Sequence, residues 1–180
     1  MKITVVRHGQ TNYNVLGLHN SDPSVDVFLT ERGINEAKKI GELLKDEPFE
    51  AIYISELPRT RQTAEYINKH HNLNLIVDAR LNDTNTGFEG KKVDDYHAVR
   101  NASLDIYTFR HGNAESSEDV YKRTEDFLGD LLNEGYKNVL IVTSKHVFRH
   151  FRNIIDQLDP REALGNDVQN AEILVREINN

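Results

Sequence analysis

The chain has 180 residues, an ordinary hydrophobic content of 38% and a formal net charge of −7 at pH 7. A net negative charge argues against general nucleic-acid binding, because a phosphate backbone requires a basic surface, and no apolar run approaches the length of a membrane span. Cysteine is absent from the sequence, which excludes disulfides, thiol nucleophiles and cysteine-type zinc sites.

The length predicts a single domain over residues 1–180. The first residues enter a strand without the charged segment, long apolar segment or cleavage site of a secretory signal, so a cytoplasmic protein is expected. A few arginines focused in a cleft could still bind a small phosphorylated partner on an acidic protein. The oligomeric state is left open.

Short β-branched runs alternate with amphipathic segments in the first half of the chain. Thr30 suits the N-cap of a helix and Pro58 the first turn of another, although Gly33 and Gly41 weaken the helical pattern that follows Thr30. The predicted elements in this half are strand Lys2–Val6, helix Thr30–Leu44, strand Ala51–Ile54, helix Pro58–Lys69 and strand Leu73–Val77.

The second half begins with a polar segment of weak periodicity, which predicts a long functional loop. The predicted elements are this loop over Asp78–Gly112 with some helix around Val93–Val99, a helix capped by Ser116 or Ser117 and ending at Leu132, strand Asn138–Thr143, helix Val147–Leu158 and a last strand within Asp167–Ile178. The alternation of strands and helices predicts a three-layer α/β/α fold with a largely parallel sheet covered on both faces.

Polar clusters follow the predicted strands at the points where the strands end. Residues 7–9 (Arg-His-Gly) follow the first strand, residues 55–61 (SELPRTR) the second, Asp83 the third and residues 143–146 (TSKH) the fourth. Ligands of such sheets bind outside the carboxyl ends of the strands. The sequence therefore predicts a site where arginines, histidines and a carboxylate converge.

These clusters carry a family resemblance. RHGQTNYN at residues 7–14 resembles the RHGxTxxN signature of the histidine phosphatase superfamily, also called the phosphoglycerate mutase-like family. Further segments resemble the family in the same order: LTERGINEA, SELPRTRQTAE, RLNDTNTGFEG, GNAESSEDVYKR, NVLIVTSKHVFR and VQNAEILV. The resemblance covers nearly the whole chain and implies a phosphoglycerate mutase-like fold, a small phosphorylated substrate and no cofactor or metal.

The resemblance also implies roles for individual residues. His8 would be the nucleophile that forms a phosphohistidine. Arg7 and Arg59 would bind the phosphoryl oxygens through charge-assisted hydrogen bonds, and Asn14 would add a neutral donor. Asp83 would protonate the leaving oxygen and then activate water.

Two positions depart from the family pattern. The family usually has glutamate where this chain has Asp83, and the following loop is one residue shorter than expected. Ungapped alignment places Ser144 at the second catalytic histidine, with His146 two residues later. Either His146 fills the site or Ser144 replaces the histidine and weakens it. Glu115 is an alternative proton donor, ranked below Asp83.

Three functions follow from the residues and the resemblance. The first is a phosphatase for a small phosphorylated metabolite. The second is a phosphate-binding protein that has lost turnover, which Ser144 favours, and the third is a phosphoglycerate mutase-type phosphotransferase. His146 and His150 stand four residues apart, but no third ligand accompanies them, so no metal site is predicted. The substrate cannot be named, because residues 91–111, which would cover the pocket, follow no recognisable pattern.

Overall fold

Strands and helices alternate along residues 1–161 and 167–178, which are the residues that the computed structural model describes. Within these ranges, no helix is both long enough and apolar enough to cross a membrane. The elements in chain order are β1 Lys2–Arg7, α1 Asn12–Leu16, α2 Glu31–Leu44, β2 Ala51–Ile54, α3 Pro58–Asn68, β3 Leu75–Val77, a 3₁₀ turn Ala79–Leu81, α4 Val93–Asn101, α5 Ser117–Asn133, β4 Asn138–Thr143, α6 Lys145–Ile155 and β5 Ile173–Glu177.

The strands form one sheet in the order β3-β2-β4-β1-β5. The strands from β3 to β1 run parallel to their neighbours, and β5 runs antiparallel to β1. Strands β2 and β4 are buried along their whole length, as expected for a parallel sheet covered on both faces. The predicted α/β class with a largely parallel sheet is confirmed, and the carboxyl ends of β1, β2, β3 and β4 share one edge.

Helices cover the sheet in two layers, which confirms the predicted three-layer arrangement. Helices α2 and α3 pack on one face, and α5 and α6 pack on the other. The first core contains Val6, Ile40, Leu44, Ile52, Ile54, Ala64, Ile67, Leu140 and Val142. The second contains Ile3, Val5, Tyr53, Val120, Phe127, Leu131, Ile141, Phe148 and Phe151. Each large apolar side chain buried in this way contributes roughly 1.5–3 kcal/mol.

Hydroxyl side chains cap the helices that the sequence predicted most clearly. Thr30 Oγ1 accepts a hydrogen bond from the backbone N–H of Gly33 at 3.1 Å and so begins α2. Ser116, rather than Ser117, caps α5 and shares a capping box with Asp119. Each cap satisfies a backbone donor that the first turn leaves unpaired, worth about 1 kcal/mol.

Two helices differ from the prediction. Helix α6 begins at Lys145 instead of Val147, because Ser144 is extended and its carbonyl accepts from Phe148 N–H. It ends at Ile155 instead of Leu158, and Gln157 beyond it has a positive φ of 53°. Helix α1 was not predicted: it has five residues, too few to show a periodicity, and a capping box at Thr11 begins it. The early start of α6 has a consequence for the site, since it places residue 146 in the first helical turn.

The third strand is shorter than predicted because Leu73 is bound elsewhere. The side chain of Asn68 accepts from Leu73 N–H at 2.9 Å and donates to the Leu73 carbonyl at 2.7 Å. These bonds join the end of α3 to the chain before β3, so pairing begins only at Leu75. In the predicted loop over residues 78–112, the expected helix is present as α4.

The glycines that weakened the helix prediction are explained by close backbone contacts. A Cβ added to Gly33 would lie 2.0 Å from the carbonyl oxygen of Gln10, and one added to Gly9 would lie 2.5 Å from the carbonyl oxygen of Gly33. Gly41 meets the backbone of Tyr66 in the same way at 2.9 Å. Helix α2 therefore packs directly on the backbone that follows β1 and fixes its path.

Gly33→Ala is expected to lower the free energy of unfolding by about 1–3 kcal/mol, because the added methyl group overlaps backbone atoms that cannot move aside. The matched control is Gly129→Ala in α5, where an added Cβ meets nothing within 4 Å and should raise stability by about 0.5–1 kcal/mol. Urea unfolding of the two variants and the wild type measures both changes. A Gly33→Ala protein as stable as Gly129→Ala would show that the backbone contact is not a constraint.

Candidate active site

The polar residues at the strand ends meet in one cleft of about 380 Å³. Strand β1 brings Arg7 and His8 into it, and α3, which follows β2, brings Arg59. The turn after β3 contributes Asp83, and the first turn of α6, after β4, contributes His146. The structure thus brings together the residues that the sequence placed at this edge.

His8 is buried, with 2% of its surface exposed. Its Nδ1 lies 2.8 Å from the carbonyl oxygen of Gly9, and its Nε2 lies 3.0 Å from Nε of Arg59. Because a carbonyl only accepts and the arginine only donates, the proton is on Nδ1 and the lone pair is on Nε2. Burial lowers the pKa of His8 well below its ordinary value, and the charges of Arg59 and Arg7 lower it further. His8 is therefore a neutral imidazole, and the lone pair of its Nε2 accepts the hydrogen bond from Arg59.

Arg59 contacts more residues of the site than His8 alone. Besides the bond to His8, its Nη1 donates to Oδ1 of Asn20 and its Nη2 donates to the Asn20 carbonyl at 2.9 Å. Nη2 also lies 3.2 Å from Oδ2 of Asp83 and 3.3 Å from Oγ of Ser144. Burial lowers the pKa of the guanidinium, while the Asp83 carboxylate opposes that change. Arg59 is thus fixed in position by acceptors on several sides.

The Asn20 contact was not foreseen from the sequence. Glu89 holds Asn20 in position. Its Oε1 accepts a hydrogen bond from Nδ2 of Asn20 at 2.9 Å. Its Oε2 accepts from the backbone N–H of Ser21 at 2.6 Å and from that of Asp22 at 3.1 Å. This carboxylate turns Oδ1 of Asn20 toward Arg59. The pairing joins residues 69 positions apart, and no local pattern in the sequence indicates it.

Arg7 is a buried cation with unused hydrogen-bonding capacity. Its Nη1 donates to the carbonyl of Val168 at 2.6 Å, while its Nε is buried and, among the described residues, has no partner. Burial lowers its pKa to about 10, and the charges of Arg59 and Arg149 act in the same direction against that of Asp83. An anion in the cleft that Arg7 lines would offset the repulsion between the guanidinium groups.

Asp83 lies beside Arg59 and His146. Its Oδ1 accepts from the backbone N–H of Thr84 at 3.0 Å and lies 3.4 Å from Nδ1 of His146. Burial acts to raise the pKa of Asp83, but the hydrogen bond and charge of His146 and the charge of Arg59 outweigh it and hold the pKa well below its usual range. In this arrangement Asp83 is a carboxylate.

Ser144 and His146 occupy different places in the site. Ser144 is fully buried against Arg59 and does not line the cleft. His146 is half-buried, lines the cleft and contacts Asp83. The two-residue offset from the family pattern is taken up because α6 begins at Lys145. Of the two alternatives that the sequence left open, His146 is the side chain that reaches the cleft.

Asn14 lies at the cleft and offers a neutral donor. Its Oδ1 accepts from the backbone N–H of Thr11 at 3.0 Å and from Nδ2 of Asn170 at 3.1 Å. With the oxygen engaged, the amide nitrogen remains available to a ligand. The structure thus places Asn14 at the cleft.

Glu115, the alternative proton donor, lies outside the cleft. Arg123 pairs with it at 2.8 Å, and the backbone N–H of Asn85 donates to its Oε2 at 2.9 Å. Arg123 also donates to the carbonyl of Asp83 at 3.4 Å. Glu115 thus supports the loop that carries Asp83 and does not face the space where a ligand would bind.

The cleft is cationic although the chain is acidic. Its described lining contains one carboxylate, that of Asp83, and these cations: Arg7, Arg59, Arg100, Lys145 and Arg149. Within residues 1–161 and 167–178, no group of three or more histidine or acidic residues could hold a metal ion. Clustered arginines in a concave site focus positive potential, so the cleft suits an anionic ligand.

Comparisons with known proteins identify this combination of fold and residues. The model of the "Histidine phosphatase superfamily (branch 1)" matches residues 3–180. The chain is 32% identical over 132 residues to the "Probable fructose-2,6-bisphosphatase TIGAR A" of Danio rerio. The matched region covers 70% of this chain and 51% of that protein. It is 34% identical over 170 residues to a fructose-2,6-bisphosphatase of Saccharomyces cerevisiae, covering 88% of this chain and 36% of the yeast protein. The chain thus spans about a third to a half of these relatives.

Solved structures share the fold over most of their length. The alpha-ribazole phosphatase from Shigella flexneri superposes with a TM-score of 0.87 at 25% identity, covering 99% of this chain and 91% of that one. YhfR from Bacillus stearothermophilus gives a TM-score of 0.87 at 22% identity with the same coverage. The overall fold of this chain is therefore similar to that of these solved structures.

Proposed function

Since the chain belongs to the histidine phosphatase superfamily, we propose that it hydrolyses the phosphate ester of a small metabolite through a phosphohistidine formed on His8. The observation that carries this proposal is the state of His8: a neutral imidazole whose Nε2 lone pair accepts a hydrogen bond from Arg59 in a cleft that Arg7 also lines. A nucleophile in an anion site is the arrangement that phosphoryl transfer requires.

In the first step, Nε2 of His8 attacks phosphorus, and the bond from phosphorus to the leaving oxygen breaks with its electron pair on that oxygen. The hydrogen bond from Nδ1 to Gly9 stabilises the positive charge that the ring acquires. Arg59 transfers its Nε donor from His8 to a phosphoryl oxygen, and the guanidinium of Arg7, which lines the cleft, supplies a second donor. The two guanidinium groups then stabilise the charge on the equatorial oxygens.

Asp83 is proposed to give the leaving oxygen its proton. The carboxylate is ionised before substrate binds, but a phosphate dianion adds negative charge beside Asp83 and draws Arg59 away from it. Both changes raise the pKa of Asp83 and favour its protonation in the complex. In the second step the same carboxylate takes a proton from the water that attacks the phosphohistidine, which releases phosphate and restores His8.

His146 is proposed to bind the phosphoryl group from the side opposite Arg7. Its Nδ1 contacts Asp83 at 3.4 Å, so the other ring nitrogen is available to a phosphoryl oxygen. Ser144, which the family pattern placed in this role, acts instead by accepting from Arg59. The substrate is proposed to be small, and a cytoplasmic location and a single domain over residues 1–180 remain predictions from the sequence.

A second function, phosphate binding without turnover, is favoured by two observations. Arg59 occupies the lone pair of His8, and Asp83 is held as a carboxylate, so a site that did not rearrange would bind phosphate without hydrolysing a phosphate ester. A mutase-type phosphotransferase shares the first step of the proposed mechanism and differs only in what accepts the phosphoryl group.

Phosphate release from a panel of small phosphate esters, p-nitrophenyl phosphate among them, tests the proposed function. The wild-type protein should turn over, and His8→Asn should lose at least about a thousandfold in kcat, because the bond-forming nitrogen is displaced while the buried volume is largely kept. Thermal unfolding checks that the variant folds, and His111→Asn at an exposed position is the matched control. Activity of more than a few per cent in folded His8→Asn would exclude the phosphohistidine. Wild-type binding without any turnover would select the phosphate-binding function.

Esters that differ in their leaving group test the role of Asp83. Asp83→Asn should slow phenyl phosphate by about 10²- to 10⁴-fold, because phenolate needs a proton, and should slow 2,4-dinitrophenyl phosphate much less. His146→Gln, which removes a phosphoryl contact, should slow both esters by similar factors. For each variant, the rate with 2,4-dinitrophenyl phosphate is divided by the rate with phenyl phosphate. Any general effect of breaking the ion pair with Arg59 slows both esters and cancels in this ratio. Equal losses for both esters in Asp83→Asn would rule out the proposed proton transfer.

A further inference from the structure

Asn20 binds both terminal nitrogens of the Arg59 guanidinium. Nη1 of Arg59 donates to Oδ1 of Asn20, and Nη2 donates to the backbone carbonyl oxygen of the same residue at 2.9 Å. Asn20 is buried, with 7% of its surface exposed. Hydrogen bonds in such a place are stronger than in water, because the surroundings screen them less. A single residue thus determines where the outer end of the guanidinium lies.

The other main contacts of Arg59 are to groups that the proposed reaction alters. Its Nε donates to Nε2 of His8, and its Nη2 lies 3.2 Å from Oδ2 of Asp83. In the proposed mechanism Nε2 bonds to phosphorus and the carboxylate takes up a proton, so both contacts weaken as the reaction proceeds. The bonds to Asn20, and a longer contact of 3.3 Å with Ser144, involve neither reacting group. Asn20 is therefore the main partner that Arg59 can keep throughout the reaction.

Glu89 orients the amide of Asn20 from a position outside the lining of the cleft. Its carboxylate accepts hydrogen bonds from the side chain of Asn20 and from the backbone N–H groups of the two residues that follow. Two backbone bonds of 2.9 Å join the same segments, one from Gly90 to His19 and one from His19 to Lys91. Bonds to a carboxylate are stronger than neutral ones. They give the amide one orientation, with its oxygen toward the guanidinium.

The amide between Glu89 and Arg59 keeps the charge of the guanidinium available. Asn20 donates to the carboxylate with Nδ2 and accepts from the guanidinium with Oδ1, and each of these bonds polarises the other. The charge of Glu89 raises the pKa of Arg59 and so opposes the effect of burial. A further carboxylate in direct contact with Arg59 would pair with it and repel a phosphate. A neutral intermediary avoids that competition.

We propose that Asn20 and Glu89 are positioning residues of the phosphoryl site, which keep the guanidinium of Arg59 in place while its Nε moves from His8 to a phosphoryl oxygen. This inference rests on the proposed function and deepens it, because it extends the machinery that stabilises the transferring group to a carboxylate outside the cleft. A displacement of about 1 Å in such a donor can cost roughly a hundredfold in rate. The segment that follows β3 thus supplies both the proposed proton donor, Asp83, and the carboxylate that fixes Arg59.

Rates of two variants measure what the pair contributes. Asn20→Ala removes the side-chain acceptor of Arg59, and Glu89→Gln removes the carboxylate while keeping the size of the side chain. Each should lower kcat/KM by about 10- to 100-fold with 2,4-dinitrophenyl phosphate, whose leaving group does not depend on a proton from Asp83. Glu42→Gln, which removes an exposed carboxylate on α2 outside the cleft, should keep the wild-type value.

Replacement of Arg59 separates a positioning role from a general structural one. If the pair acts through the guanidinium, Asn20→Ala and Glu89→Gln should each cost about threefold or less once Arg59→Gln is already present, because the residue they position is gone. Equal losses in the two backgrounds would overturn the inference, and so would losses below about threefold in the wild-type background. Thermal unfolding checks each protein. If one variant is unfolded, the other decides, and unfolding of both would assign the pair to stability alone and overturn the inference.

Failure of the proposed function is distinguishable from failure of this inference. If the wild-type protein hydrolyses no ester, calorimetric dissociation constants for inorganic phosphate replace the rates in the same set of variants. Asn20→Ala and Glu89→Gln should then weaken phosphate binding by about tenfold with Arg59 present and by about threefold or less in Arg59→Gln. Equal weakening in the two backgrounds, or none with Arg59 present, would refute the positioning role independently of turnover.

Discussion

The hydrogen bond from Nε of Arg59 to Nε2 of His8 is the interaction on which the site depends. It requires a neutral imidazole with its proton on Nδ1, and burial beside two arginines provides that state. It also requires that the guanidinium of Arg59 keep its position. Asn20 accepts a hydrogen bond from that guanidinium, and Glu89 in turn binds Asn20. The cost of burying Arg59 is offset by the hydrogen bonds that its three guanidinium nitrogens donate.

The fold supports this interaction through backbone contacts that leave little freedom. Strand β1 ends at Arg7, directly before His8, and the backbone that follows packs against α2 at Gly9 and Gly33. The parallel strands β1, β2 and β4 end at the same edge, so the helices after β2 and β4 bring Arg59 and His146 to one place. A chain with a net negative charge can therefore have a cationic cleft, because the fold brings several arginines together at one edge of the sheet.

Much of this arrangement could be predicted from the sequence, because it rests on local patterns. The β-branched runs identified β1, β2 and β4, the cap at Thr30 identified α2, and the strand-end clusters located Arg7, His8, Arg59 and Asp83. What could not be predicted depends on long-range contacts. The start of α6 decides whether Ser144 or His146 reaches the cleft, and the pairing of Glu89 with Asn20 joins distant loops.

The central claim is that His8 forms a covalent bond to phosphorus, and trapping that bond tests it most directly. The wild-type protein is mixed with a ³²P-labelled ester that it hydrolyses, quenched in alkali within one turnover, and digested for mass spectrometry. The account predicts an acid-labile, base-stable phosphoryl group on the peptide that contains His8, and no label in His8→Asn. Turnover without such a label, or a label on another residue, would contradict the account.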